Sequence, residues 1–157
     1  MAGKLYSASF AAIAVTAAQD AFEIVAPSDK PVWINEIRLG QYTDFGDAAS
    51  EIVSVLVVRG YTVTGSGGAA VTPAALQQGA PAASSVVARN NTTVANTGTA
   101  IQLIADVMNV QAGFFYAPPV DQRIALAPGE RLVVRITAPA DSLTMNGTLI
   151  FEEGRQL

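Results

Sequence analysis

The chain has 157 residues, half of them apolar, so it can bury a core without covalent or metal staples. It contains no cysteine and no histidine, which removes disulfides, thiolate and imidazole chemistry and the usual zinc ligands, and leaves any catalysis to carboxylates, lysine or tyrosine. Seven Arg and two Lys are dispersed singly among 13 acidic residues for a net charge of −4, a solvated acidic surface and not the basic stripe that nucleic acid requires.

In chain order, Lys4 and the apolar run Leu5 to Ala18 loosely imitate a secretory signal, but Ser7, Ser9 and Thr16 interrupt the run. The alternation of Tyr6, Ala8 and Phe10 fits a strand better. Further strands are read at Phe22, Ile24 and Ala26, and at Trp33, Ile37 and Leu39, with Trp33 in the core. Asp47 to Ser54 and Pro73 to Gln78 are the two candidate helical turns. Ile52 to Arg59 is apolar on both faces, as in a central strand covered twice.

Gly65 to Ala100 is long, rich in small residues, and carries one charge, Arg89. Such a stretch is unusual inside a compact domain yet too uncharged for typical disorder. It reads as an extended arm lying on a neighbouring subunit, with Val86, Val87 and Val94 in contact. A surface loop with one extra hairpin is the other reading.

Downstream, Ile101, Leu103, Ala105 and Val107 read as one buried strand face. In Gly113 to Pro119, alternation keeps Phe114, Phe115 and Tyr116 from sharing a face. Phe114 and Tyr116 are read as core, with Phe115 either under a loop or turned outward to an interface. Ala127-Pro128-Gly129-Glu130 is a type II turn that launches a strand with Leu132, Val134 and Ile136 on one face. Pro139 and Asp141 end it, and Leu143, Met145, Gly147, Leu149 and Phe151 form the clearest alternation of all.

About eight to ten short strands with turns between them predict an all-β chain, a single antiparallel β-sandwich over 1–157, jelly-roll-like, with the long low-charge arm at 65–100. An up-and-down barrel is the competing architecture. No apolar run approaches the ~18 residues of a membrane span, so no membrane is expected as a partner.

Asp44-Phe45-Gly46 matches a kinase triplet by chance, since a histidine-containing catalytic loop is missing. Asp44, Asp47 and Glu51 are the densest acidic group, but turn and cap duty explains them without a metal. Asp20, Glu23, Glu36 and Asp106 are read as outward or edge residues that discourage aggregation, not as a hydrolytic pair. No catalytic residue, cofactor or metal is expected.

Laid out this way, the chain resembles a group of small β-rich virion proteins of tailed bacteriophages. The residues that carry the resemblance are Val15 to Glu23, Leu39-Gly40-Gln41 with Asp44 to Glu51, Arg59-Gly60-Tyr61, Asn90-Asn91-Thr92-Thr93, and Leu143 to Leu149. The resemblance implies a capsid decoration or cement protein or another small head or tail component, made in the host cytoplasm and carried on the capsid surface. Its expected partners are the major capsid protein and copies of itself, in trimers or larger rings, with no nucleic acid. Expected interface residues are Leu5, Tyr6, Phe10, Ile13, Val86, Val87, Val94 and Phe115. A second class of function is a carbohydrate- or receptor-binding β-sandwich module of a fibre, which predicts exposed aromatics among Trp33, Tyr42, Tyr61 and Tyr116.

Overall fold

The computed structural model describes residues 3–42 and 52–154. Their strands are β1 (Lys4–Val15), β2 (Gln19–Val25), β3 (Val32–Gln41), β4 (Ile52–Tyr61), β5 (Ala69–Val71), β6 (Ala74–Ala75), β7 (Val86–Asn91), β8 (Gly98–Asn109), β9 (Phe114–Tyr116), β10 (Ile124–Leu126), β11 (Arg131–Ile136) and β12 (Leu143–Glu153). One 3-10 turn spans Val120–Gln122, and the described residues contain no α-helix.

Two antiparallel sheets pack face to face. The first runs β10-β3-β12-β1-β6, with β9 also alongside β3; the second runs β5-β7-β2-β11-β4-β8. Strands pair in nested fashion, β1 with β12, β2 with β11, β3 with the short β10 and β4 with β8. Strands β1 to β4 alternate between the sheets, so the chain wraps as a jelly roll and not as an up-and-down barrel, in which sequential strands would pair.

The alternating residues fill the space between the sheets. Tyr6, Ala8 and Phe10 from β1 meet Leu143, Met145, Leu149 and Phe151 from β12, opposite Phe22 and Ile24 from β2 and Leu132, Val134 and Ile136 from β11. Gly147 breaks the row for a reason. A Cβ there would lie 2.4 Å from Phe10 Cε1 and 3.0 Å from Phe22 Cε2, and those two rings pack with centroids 5.1 Å apart. The Pro128-Gly129 turn forms as expected, with Gly129 at φ 79° and the Glu130 amide donating to the Ala127 carbonyl at 3.0 Å.

Bulges shift the parity that simple alternation assumes. Asn35 is the extra residue of β3 against β12, so the inward set is Val32, Ile34, Ile37 and Leu39. Trp33 therefore lies half-buried on the outer face, under the Arg123 guanidinium at 6.0 Å, and not in the core. Leu103 is the extra residue of β8 against β4. Ile104 and Met108 turn inward there, while Ile101, Leu103 and Val107, expected to be buried, are exposed. In β1 the bulge falls between Phe10 and Ile13. Ala12 takes φ 55°, and its amide donates to Asn146 Oδ1 at 2.8 Å.

The stretch from Gly65 to Ala100 is not a detached arm. It contributes β5, β6, β7 and the start of β8, and it passes from the edge of the second sheet at β5 to the edge of the first at β6, closing that side of the sandwich. Pro73 to Gln78 is not helical: Ala74–Ala75 form β6, and the Leu76 amide donates to the Leu5 carbonyl at 3.0 Å. Of the other candidate helical turn, Ile52 to Ser54 begin β4, and the preceding residues lie outside the described ones, as do Asp44, Asp47 and Glu51.

Candidate functional site

The polar chemistry of this chain concentrates on the outer face of the second sheet. Residues opposite one another on adjacent strands share a face, and Val133 lies opposite both Glu23 and Val58, while Arg135 lies opposite Asp20. These residues point away from the core between the sheets, yet Asp20, Glu23, Val58 and Val133 are all buried. The cover comes from two loop segments, 62–68 and 92–97, joined by a bridge between Ser66 and Thr93 and by the Thr62 amide on the Thr97 carbonyl at 2.8 Å.

Three carboxylates hold this cover and the strap that follows its first segment, residues 69–85. Asp20 accepts from the Ala95 amide at 2.7 Å and pairs with Arg135, whose Nε lies 2.6 Å from Oδ1 and whose Nη2 lies 3.1 Å from Oδ2. The same Nη2 donates to the Ala95 carbonyl at 2.6 Å, and the guanidinium packs over the Tyr61 ring at 5.3 Å. Burial opposes the Arg135 charge, but the hydrogen bond and charge of Asp20 outweigh it and hold the guanidinium pKa above its ordinary value.

Glu23 accepts from the Asn91 side-chain amide at 2.6 Å and from the Gly65 amide at 3.0 Å, while Asn91 Oδ1 accepts from the Gly68 amide at 3.2 Å. Its pKa is raised, first by desolvation and further by the charge of Asp20, although the bonds from Asn91 and Gly65 and the charge of Arg131 pull the other way. At the far end of the strap, Glu153 Oε1 accepts from the Ser84 amide at 2.8 Å, the Ser85 amide at 2.7 Å and the Ser85 hydroxyl at 2.8 Å. Lys30 approaches the other oxygen at 3.6 Å. Tyr6 donates to the Pro81 carbonyl at 3.1 Å, and burial, then Glu153, pushes its pKa up.

Asp20 and Glu23 are thus not outward residues guarding an edge. They are buried anchors for backbone amides distant in sequence, and a buried carboxylate demands such donors. They face covering loops and not an open cleft, which leaves no room for a substrate between them. An open cleft of about 350 Å³ lies beside Tyr61, Thr62, Gly129, Glu130 and Arg131. Among the described residues that line it Glu130 is the one acid, and that carboxylate already accepts from the Ala127 amide at 2.8 Å. Among the described residues no three acidic groups converge as metal ligands, and no helix is long and apolar enough to cross a membrane.

The expected interface residues separate into three groups. Tyr6, Phe10 and Val87 are corrected to core, because each falls on the inward parity of its strand. Leu5, Ile13 and Val94 are half-buried. Val86 and Phe115 are exposed, and Phe115 lies opposite Arg38, whose guanidinium sits 5.5 Å from its ring. Phe114 is buried and Tyr116 packs against the core.

No family model, no curated protein and no solved structure matches this chain. What remains is its own geometry, and among the described residues an exposed apolar stretch stands out. Among the described strands β8 pairs with β4 alone, and Ile101, Leu103 and Val107 are exposed along it, with Ile52 of β4 beside its end. Sequence alternation had placed those β8 residues inside, so this surface was missed. The run of twelve residues with one charge, Asp106, was the signal available.

Proposed function

We propose that this protein is a non-enzymatic structural component of a tailed-phage particle, a decoration or cement protein that binds the shell and copies of itself. The observation that carries the reading is the jelly-roll wrap with a long edge strand, β8, that exposes Ile101, Leu103 and Val107. Jelly rolls serve in viral capsid and lectin domains, which makes the fold compatible with such a role by analogy. The resemblance of the quoted residues to small virion proteins adds to it. Use of the buried carboxylates to hold the chain's own loops favours a rigid building block over a catalyst. Weak repeated contacts on a symmetric lattice would supply affinity by multivalency.

The test is mass spectrometry of purified particles, together with co-sedimentation of the purified chain with shells. Stoichiometric copies in the particle are expected; absence from particles and failure to co-sediment would overturn the proposal. One observation favours a second reading, a glycan-binding module: Tyr61 lines an open cleft beside Thr62, Glu130 and Arg131. Binding on a glycan array that is lost in Tyr61→Ala would support it.

A further inference from the structure

We infer that the cleft beside Arg131 takes an acidic saccharide, a sugar whose carboxylate is gripped by the Arg131 guanidinium. This rests on the glycan-binding reading of the same cleft and names the ligand class.

Three half-buried arginines differ in how their guanidinium groups are satisfied. Arg135 bonds both oxygens of Asp20, the Ala95 carbonyl and the Tyr61 hydroxyl. Arg123 bonds Glu152 at 2.6 Å, Asn35 Oδ1 at 2.8 Å and the Val120 carbonyl at 3.1 Å. Arg131 makes one bond, from Nη1 to the Tyr61 carbonyl at 3.1 Å, and its Nε is buried with no partner. Among the described residues it forms no ion pair. A guanidinium is a five-donor fork that matches a carboxylate edge to edge, and a charge drawn out of water is stabilised when a counter-charge meets it.

Arg131 is also where a solute can reach. It lines the open cleft of about 350 Å³, together with Gly60 and Gly129, which present backbone at φ 92° and 79° and no side chain. A Cβ on Gly129 would meet nothing within 4 Å, so the space beside that turn is open.

The acids nearby are committed elsewhere. Glu130 accepts from the Ala127 amide, and Glu23 from Gly65 and Asn91. Arg59, opposite Leu132 on the next rung of the sheet, likewise forms no ion pair among the described residues. Two guanidinium groups without a partner carboxylate thus sit at one end of the second sheet, in a chain of net charge −4. That local excess sets the sign of the ligand.

The rest of the lining suits a sugar and not a bare ion. Tyr61 brings an aromatic ring, over which the Arg135 guanidinium lies at 5.3 Å. Thr62 brings a hydroxyl that donates to the Thr97 carbonyl at 3.3 Å and keeps its lone pairs for an incoming hydroxyl. An aromatic group with a few fixed polar ones is the make-up of a small-molecule site. The volume lies at the lower end of the range for ligand pockets, room for a terminal sugar and not for a long chain.

The test is titration of the isotope-labelled full chain with glucuronate, glucose and acetate at equal ionic strength, followed by backbone amide shifts and calorimetry. Glucuronate should give saturable shifts centred on residues 60–62 and 129–131, and bind about tenfold tighter than glucose or acetate. Arg131→Gln should weaken glucuronate by about tenfold and leave it no tighter than glucose. Glu130→Gln removes the nearest exposed negative charge and should tighten glucuronate severalfold. Trp33 fluorescence and melting temperature verify folding; if Arg131→Gln does not fold, the wild-type comparison and Glu130→Gln decide alone. Glucose bound as tightly as glucuronate would overturn the inference and leave the glycan-binding reading standing. Acetate bound as tightly would overturn it too, as an anion site indifferent to the sugar. Absence of saturable shifts with glucuronate also overturns it, and a glycan array without binders then removes the glycan-binding reading as well.

Discussion

Arg135 and Asp20 face each other across neighbouring strands, Nε 2.6 Å from Oδ1, and both bind Ala95, one through its carbonyl and one through its amide. The pair thus fastens a covering loop to the outer face of the second sheet. Asp20 is fully buried, so removing its partner leaves a charge without compensation. Arg135→Met should lower unfolding free energy by about 3–5 kcal/mol, measured by urea denaturation. The double variant Asp20→Leu with Arg135→Met should recover a large part of that loss, because no charge then remains unpaired. Equal losses in the single and double variants would show that packing and not charge is at stake.

Glu23 makes stability depend on pH in the direction opposite to most carboxylates. Its pKa is raised in the folded chain, mainly by desolvation, so the folded state binds its proton more tightly than the unfolded state does. The unfolded value is about 4.3. Between that value and the raised folded one, stability falls as pH rises; below the window the penalty is absent, and above it the penalty is complete. Glu23→Gln removes this contribution. The difference in unfolding free energy between wild type and Glu23→Gln should therefore shift in favour of wild type as pH is lowered through the window. A difference flat from pH 4 to 7 would refute the assignment.

Gly147 is where two aromatic rings need the space of a side chain. Gly147→Ala places a Cβ against the Phe10 and Phe22 rings and should cost about 1–3 kcal/mol by overpacking. Adding Phe10→Leu should restore part of the loss, since the smaller side chain yields room at the same point. Thermal melts of the three chains test this.

Much of the sandwich was legible because period two is a local signal. The inward rows of β1, β11 and β12 could be read from Tyr6, Leu132 and Leu143 onward. Where a bulge adds a residue, the same rule assigns the wrong face, and Trp33 and Val107 were misplaced for that reason. The carboxylate anchors were illegible on different grounds. Glu23 alternates outward. Asp20 shares the sequence parity of the inward Phe22 and Ile24 and is turned outward by the extra residue Ala21 of β2, and only loops from residues 62–68 and 92–97 convert that outer face into an interior. The partners of Asp20 at Ala95 and Arg135, and of Glu23 at Gly65 and Asn91, are 42 to 115 residues away. No window along the chain contains them. The low-charge stretch was likewise seen as unusual, while the acids that bind it to its own body were not.

Glu153 gives the clearest separation between local and global stability. It ends β12 and satisfies two backbone amides and one hydroxyl of Ser84 and Ser85. Replacing it with Ala leaves those donors without an acceptor, at about 1–3 kcal/mol for a buried unsatisfied group. The strap has alternatives that the carboxylate lacks: Ser84 and Ser85 can reach water if the segment lifts, and β12 keeps its pairing with β1 and β3. Local release should therefore be favoured over global unfolding. In Glu153→Ala, amide exchange at Ser84 and Ser85 should accelerate strongly while the amides of β12 and β3 keep their protection. Glu153→Gln retains one acceptor oxygen and should fall between. Uniform acceleration across the sandwich would instead mean that the strap and the sheets open as one unit.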